Sequence, residues 1–217
     1  RESVGVIMGA NLGTTFTFWV LALLGYKFSI SSICLPIIGI GLPMLFMKQP
    51  KIRDTGEVFI GFGILFLGLK YLKEQVPNYK NDPSALDFLA EWSDMGYATV
   101  PVFIIIGVIL TILVQSSSAA GAISIALTVE GWIPLEASCA IILGENIGTT
   151  ITANLAALAG NYNAKLAARV HFVFNIIGVL WMLPIFYLFL DLIELINPTD
   201  LTDKGNIAMT LAIFHTS

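Results

Sequence analysis

The chain has 217 residues, a formal net charge of −4, 56% hydrophobic residues and only 12% charged residues. A soluble globular domain carries about a quarter charged residues, so this composition excludes an ordinary water-exposed surface around a core. No basic patch indicates a nucleic-acid partner, and no G-x-x-x-x-G-K-[ST] stretch indicates energisation by ATP on this chain. We therefore expect a polytopic all-α membrane protein.

Long apolar segments with few charged residues predict the membrane helices. A bilayer core of roughly 30 Å takes about 20 apolar helical residues. Segments of roughly that length cover residues 3–25, 29–47, 56–72, 134–159 and 166–190. The sequence begins without Met and ends inside an apolar stretch, so we expect a piece of a longer protein.

One nine-residue pattern occurs twice, 135 residues apart. Gly9–Thr17 reads GANLGTTFT and Gly144–Thr152 reads GENIGTTIT, with six identical positions. A second correspondence follows, between residues 37–39 and residues 176–178, which read Ile-Ile-Gly in both places. Because chance similarity between membrane helices rarely preserves Asn, Gly and a Thr pair together, we interpret the pattern as an internal duplication.

The uncharged run of 35 residues over 95–129 is too long for one crossing. As a straight helix it would measure about 52 Å, which exceeds the bilayer. Its middle carries Gln115-Ser116-Ser117-Ser118 followed by small residues, which predicts a helix break and a re-entrant hairpin over 97–129. A hairpin returns to the side from which it entered, so the two nine-residue copies would run antiparallel, as an inverted repeat requires.

The same topology gathers short basic segments on one side, which favours the cytoplasm for that side. They contain Lys48, Lys51, Arg53, Lys165 and Arg169.

We expect four parts in the chain. Residues 1–54 are the remainder of a first inverted repeat that lacks its hairpin, and 55–96 are a connecting transmembrane helix and loop. Residues 97–192 are a complete second repeat, and 193–217 are a loop and the start of a truncated final transmembrane helix.

Polar residues at membrane depth predict a binding site. Gly13 and Gly148 stand beside Asn and a Thr pair, so we expect broken transmembrane helices there, whose free amides suit an anion and whose carbonyls suit a small hard cation. The Gln-Ser-Ser-Ser run adds hydroxyl and amide donors for a tetrahedral oxyanion, held by neutral donors together with bound cations. The alternative is that these Ser and Thr residues only join helices.

Three ionisable residues have more than one interpretation. Glu145 would sense protons, support a cation site or form an ion pair, or else lie at a watery mouth. Arg169 would be an interfacial anchor or a substrate ligand. His171 would join helices by hydrogen bonds or belong to a pH-sensitive gate.

These motifs together resemble the type II sodium/phosphate cotransporter family. The family pattern is a duplicated Gln-Ser-Ser-Ser hairpin, a Gly-Ala-Asn-x-Gly-Thr-Thr helix and a His-x-x-Phe-Asn helix. The second unit is complete, ending with His171-Phe172-Val173-Phe174-Asn175, whereas the first retains only residues 9–15. The chain ends with residues 214–217, which look like the start of another His-x-x-Phe-Asn element.

The resemblance implies sodium-coupled symport of inorganic phosphate by alternating access. It assigns phosphate and sodium to Gln115, Ser116, Ser117, Ser118, Asn146, Thr149, Thr150, Asn11, Thr14 and Thr15, with Glu145, His171 and Asn175 in supporting or gating roles. Sodium ligands are expected among Gln115, Ser117, Ser118, Thr149 and Thr14, and the individual ligands stay open. Beyond Na+ as the coupling ion, no cofactor and no catalytic residue are expected.

The expected partners are inorganic phosphate, Na+, the lipid bilayer and the missing N- and C-terminal parts of the same protein, with a homodimer left open. The expected location is a bacterial inner membrane. Two other functions compete with symport. One is a phosphate-binding membrane sensor or scaffold without net transport. The other is an intramembrane serine hydrolase that uses a serine of 116–118 with His171, although such a site gives no reason for three consecutive serines.

Overall fold

A computed structural model describes residues 2–27, 33–79, 91–92, 95–200 and 203–216, and within them the chain is helical. The α-helices are α1 (Glu2–Val20), α2 (Cys34–Met44), α3 (Pro50–Tyr79), α4 (Thr99–Val114), α5 (Ser117–Val129), α6 (Leu135–Ala157), α7 (Tyr162–Met182), α8 (Phe186–Ile196) and α9 (Lys204–His215). A π-helix (Leu21–Lys27) continues α1, and 3-10 turns (Gly96–Ala98 and Leu183–Ile185) precede α4 and α8.

Three stretches of the described residues are long and apolar enough to cross a membrane. They are Pro50–Gln75, Gly96–Val114 and Tyr162–Ile196. The predicted class, an all-α membrane protein, is confirmed. The start of the predicted segment 29–47, at residues 29–32, and residues 80–90 and 93–94 of the predicted connecting part 55–96 lie outside the described residues.

The predicted interruption of the 97–129 segment is present at Gln115 and Ser116. Gln115 has a left-handed backbone with φ 58°, and Ser116 is extended with φ −152° and ψ 114°. Ser116 then caps α5, because its Oγ accepts a hydrogen bond from the backbone N–H of Ala119 at 3.2 Å. Since α4 and α5 contact one another, residues 97–129 form two helices joined by a tight turn.

Tyr187 contacts the start of this helix pair and lies at a cavity that its end also lines. The ring of Tyr97, just before α4, meets the ring of Tyr187 edge-on with centroids 5.1 Å apart. Tyr187 and residues at the end of α5, such as Thr128, line a cavity of about 650 Å³. The re-entrant path of residues 97–129 stays a prediction. The placement of the pair in a bilayer and the inverted repeat stay predictions.

The helix openings expected at Gly13 and Gly148 do not occur. Gly13 lies inside α1 and Gly148 lies inside α6, and both helices are continuous there. The hydroxyl of Thr149 donates to the Glu145 carbonyl at 2.9 Å, and the hydroxyl of Thr150 donates to the Ile147 carbonyl at 2.6 Å. These hydroxyls therefore bond to carbonyl groups of a continuous helix. They do not take the place of backbone hydrogen bonds that an opened helix would lack.

Two predicted helix boundaries also differ from the structure. The segment 166–190 is divided by the turn Leu183–Ile185, because Pro184 has no backbone N–H to continue the helix. The segment 56–72 is part of the longer α3, which extends through its charged ends. There, exposed pairs four residues apart favour the helix, Arg53–Glu57 at 3.9 Å and Lys70–Glu74 at 3.8 Å.

Glycines allow α4 and α6 to approach to backbone contact. A Cβ placed on Gly144 would lie 2.0 Å from the Ile104 carbonyl oxygen, and one on Gly107 would lie 2.2 Å from the Ile141 carbonyl oxygen. A Cβ on Gly148 would lie 2.6 Å from the Cβ of Thr111. Spacing of small residues by four is typical of close membrane-helix pairs. The glycines of the second nine-residue copy thus serve helix packing.

We predict that Gly144→Ala destabilises the protein by about 1–3 kcal/mol, because the new methyl group meets backbone that cannot rotate away. The melting temperature of the purified full-length protein should fall by roughly 2–12 °C. The control is Gly61→Ala, at an exposed position of α3 with nothing within 4 Å of the new Cβ, where no such loss is expected. Equal melting temperatures for the two variants would contradict the close approach of α4 and α6.

Candidate functional site

A cavity of about 420 Å³ lies where α1, α6, α7 and α9 meet. Its polar lining residues are Asn11, Thr15, Asn146, Asn175, His215 and Thr216, and its other lining residues are apolar or glycine. Asn11 and Thr15 belong to the first nine-residue copy, and Asn146 belongs to the second. The structure therefore brings side chains of both copies to one cavity, although the two sequences are 135 residues apart.

Asn11 is the centre of a hydrogen-bond chain between these helices. Its amide nitrogen donates to the Asn175 side-chain oxygen at 3.2 Å. Its side-chain oxygen lies 3.0 Å from His171 Nε2, and because the amide nitrogen serves Asn175, this oxygen is assigned as the acceptor. Asn175 in turn donates to the backbone carbonyl of Asn146 at 2.8 Å. The His-x-x-Phe-Asn element thus links the two copies, and His171 joins helices by hydrogen bonds.

His215 repeats this arrangement one turn along α1. Its Nδ1 lies 3.1 Å from the Thr15 hydroxyl, and its ring stacks on Phe18 with centroids 4.0 Å apart. The neighbouring Thr216 accepts a hydrogen bond from Trp19 Nε1 at 3.0 Å. His215 was not predicted as a site residue. Its place in a partial His-x-x-Phe-Asn pattern is the signal that could have identified it.

The other threonines of the two copies are not among the residues that line this cavity. Thr14 donates to the Ala10 carbonyl at 3.3 Å, and Thr149 and Thr150 also bond to their own helix. Thr150 is fully buried, whereas Thr14 and Thr149 are half-buried. Their hydroxyl hydrogens are therefore used locally, and each oxygen keeps a free lone pair.

The Gln-Ser-Ser-Ser turn lies outside the same cavity lining. Gln115 and Ser116 are exposed, while Ser117 and Ser118 are half-buried. Among the described residues, no hydrogen bond joins a serine of this run to His171, whose ring partner is Asn11. The catalytic pair that a serine hydrolase requires is thus not assembled in this arrangement.

The turn is nevertheless close to the cavity through one aromatic side chain. A Cβ placed on Gly121, one turn into α5, would lie 2.1 Å from the Phe18 ring. Phe18 also stacks on the ring of His215, which lines the cavity. Phe18 therefore connects the first turns of α5 to the cavity wall.

Glu145 precedes Asn146 and is completely buried between α5 and α6. Its Oε1 accepts a hydrogen bond from Ser124 Oγ at 2.9 Å, and its Oε2 has no hydrogen-bond partner among the described residues. The described residues form no salt bridge with Glu145, and its side chain is not exposed to water. Its surroundings therefore fit neither the predicted ion pair nor the predicted position at a water-filled entrance. A buried carboxylate without a basic partner is costly unless another positive charge compensates it.

We predict that Asn11 and His171 are energetically coupled. Asn11→Ala removes the hydrogen-bond partner of the buried His171 ring and the donor to the Asn175 side-chain oxygen, which should cost about 1–3 kcal/mol of unfolding free energy. In a double-mutant cycle with His171→Ala, measured by denaturant unfolding of the full-length protein in micelles, we expect a coupling energy of at least about 1 kcal/mol. Asn163→Ala, at an exposed position of α7, is the matched control and should show no coupling. Additive effects of Asn11→Ala and His171→Ala would contradict the hydrogen-bond chain.

Comparison with known proteins gives these residues a context. The sequence profile of the Na+/Pi-cotransporter family matches residues 1–74 and 89–215. The YqeW protein of Bacillus subtilis (strain 168), whose name assigns no activity, is 32% identical over 201 residues, which cover 91% of this chain and 62% of YqeW. No solved structure gives a significant match to the chain.

Two further relatives carry names that mention phosphate. Sodium-dependent phosphate transport protein 2A of Oryctolagus cuniculus is 38% identical over 88 residues, which cover 38% of this chain and 14% of that protein. YjbB of Escherichia coli (strain K12), provisionally named an inorganic phosphate export protein, is 27% identical over 184 residues, covering 84% of this chain and 32% of YjbB. The chain thus spans less than two thirds of the length of each relative. With the family profile matching nearly all of its residues, the chain belongs to the Na+/Pi-cotransporter family.

Proposed function

We propose that the complete protein moves inorganic phosphate across the membrane together with Na+ by alternating access. The observation that carries this proposal is the single cavity to which both copies contribute, with Asn11 and Thr15 from one and Asn146 from the other. The names of the relatives, sodium-dependent phosphate transport and inorganic phosphate export, support phosphate as the substrate.

The charge of the cavity supports coupling to a cation. None of the described residues that line it is Asp, Glu, Lys or Arg. A phosphate anion that leaves water for such a neutral, largely apolar cavity loses its hydration without meeting an opposite charge. Amide and hydroxyl donors recover part of this loss, and bound Na+ would compensate the charge. A neutral cavity thus favours an anion that enters with its cations.

Our candidates for the sodium ligands stay Gln115, Ser117, Ser118, Thr149 and Thr14. They supply neutral oxygen atoms, which hard cations prefer. Among the described residues, no group of three or more His, Cys, Asp or Glu side chains is placed to hold a metal ion. We therefore place sodium beside the phosphate cavity, between its wall and the Gln-Ser-Ser-Ser turn, with the buried carboxylate of Glu145 as a source of negative charge.

The exposed face of α1 supports a second hairpin in the longer protein. Gly9 and Gly13 occupy in α1 the positions that Gly144 and Gly148 occupy in α6. In α6 these glycines contact α4, whereas a Cβ on Gly9 or Gly13 would meet nothing within 4 Å, and the nearby Phe16 is 69% exposed. We propose that a helix like α4 packs on this face and brings a second Gln-Ser-Ser-Ser turn to the site. The two repeats would then be inverted, with the boundaries given by the sequence.

The test is uptake of labelled phosphate by the full-length protein in proteoliposomes. We expect uptake driven by an inward Na+ gradient and little uptake when K+ replaces Na+. Asn11→Ala should lower uptake at subsaturating phosphate about tenfold or more, because a buried polar contact is lost. Asn163→Ala, away from the cavity, should transport like the parent protein.

Equal uptake in Na+ and K+ would contradict sodium coupling, and normal uptake by Asn11→Ala would contradict the assigned cavity. Reversing the gradient measures export in the same vesicles.

Ser117→Ala should raise the Na+ concentration needed for half-maximal uptake if the turn holds sodium, and an unchanged Na+ dependence would remove Ser117 from the ligands. Bacterial relatives such as YqeW and YjbB make the bacterial inner membrane our proposed location.

A further inference from the structure

A third cavity, of about 340 Å³, lies on the outer face of α7. It is lined by Arg169, Val170, Val173, Phe174 and Ile177. Apart from Arg169 the lining is wholly apolar, and Val173 and Ile177 are 52% and 59% exposed. We call these five residues the α7 groove. Positions 169, 173 and 177 recur every four residues, so the groove follows one stripe of the helix.

One end of the α7 groove is positively charged. Arg169 is exposed, and it has no acidic partner among the described residues. Lys165 is exposed one turn nearer the start of the helix, on the same stripe. The helix begins just before it, where Asn161 caps the backbone N–H of Ala164 at 2.9 Å, so the positive end of the helix dipole adds to these charges.

The rest of the stripe is an apolar surface about as long as one leaflet of a bilayer core is thick. The row of every fourth residue, which winds slowly around the helix, continues beyond the groove to Trp181, which is 61% exposed. From Arg169 to Trp181 a helix rises about 18 Å, a little more than half of a bilayer core of roughly 30 Å. α7 belongs to a stretch apolar enough to cross a membrane. A basic head above an apolar stripe of this length matches the shape of one lipid in one leaflet.

We propose that the α7 groove binds an anionic phospholipid, with its phosphate at Arg169 and Lys165 and an acyl chain along Val173 and Ile177. A small soluble anion would leave the apolar part of the groove without a partner, and an apolar helix would leave Arg169 uncompensated at the membrane. An anionic lipid satisfies both parts. Short basic segments favour the cytoplasmic side, where such lipids are abundant.

The position of this lipid gives it a route to the candidate site. Phe174 lines both the α7 groove and the 420 Å³ cavity. An acyl chain in the groove would therefore contact a side chain that also forms the cavity wall. The binding itself does not depend on the proposed transport function, so the two can be tested separately.

The test uses Trp181 as a fluorescent reporter in the full-length protein. The protein is reconstituted in phosphatidylcholine vesicles that contain increasing fractions of brominated phosphatidylglycerol or brominated phosphatidylcholine, and the signal of Trp181 is taken as the difference from a Trp181→Phe variant. We expect brominated phosphatidylglycerol to reach half-maximal quenching at a lower fraction than brominated phosphatidylcholine does. The difference between the two fractions should be about fivefold or more.

Arg169→Gln should remove most of this preference, and Lys165→Gln with Arg169→Gln should remove it completely. Arg53→Gln is the matched control, because Arg53 is also exposed but already lies near Glu57, and it should keep the preference. Unchanged quenching by brominated phosphatidylcholine shows that the variants still expose α7 to lipid. Equal quenching by the two lipids in the parent protein, a preference that survives in the double variant, or no quenching by either lipid would overturn the proposal.

Discussion

A polar side chain that is withdrawn from water needs a partner within the protein, and Asn11 has two. It bonds to His171 and Asn175 of α7, and Asn175 bonds onward to the backbone of Asn146 in α6. Loss of one member would leave the others buried without water, which makes the chain cooperative. This constraint fixes α1 against α6 and α7, and the cavity beside Asn11 exists because the three helices are held in that way.

The second constraint is close packing between α4 and α6. With backbone contact at Gly144 and Gly107, the two helices have little freedom to slide. The turn at Gln115, at the end of α4, is thus attached to a rigid pair of helices. Gln115 itself has a left-handed backbone conformation, which few non-glycine residues adopt. The α4–α6 pair and the hydrogen bonds to α1 thus hold the polar turn and the cavity in one packed unit.

Much of the fold could be predicted from simple features of the sequence. The break at Gln115 followed from a polar cluster inside an apolar run too long for one crossing. The packing role of Gly148 could not be predicted, because a membrane glycine is compatible with an open helix or with a close neighbour, and only the position of Thr111 decides between them. His215 was missed because its partner, Thr15, is 200 residues away in the sequence. The duplication predicted that Asn11 and Asn146 share a site, yet it did not show that Asn175 connects them.

The central claim is that the two copies form one site for phosphate. The most direct measurement is a cryo-electron microscopy structure of the full-length protein in lipid nanodiscs with Na+ and phosphate. The account predicts tetrahedral density in one cavity bounded by Asn11, Thr15 and Asn146, with a helix packed on the Gly9 and Gly13 face of α1. Phosphate density away from all three side chains, or Asn11 and Asn146 opening into separate cavities, would contradict it.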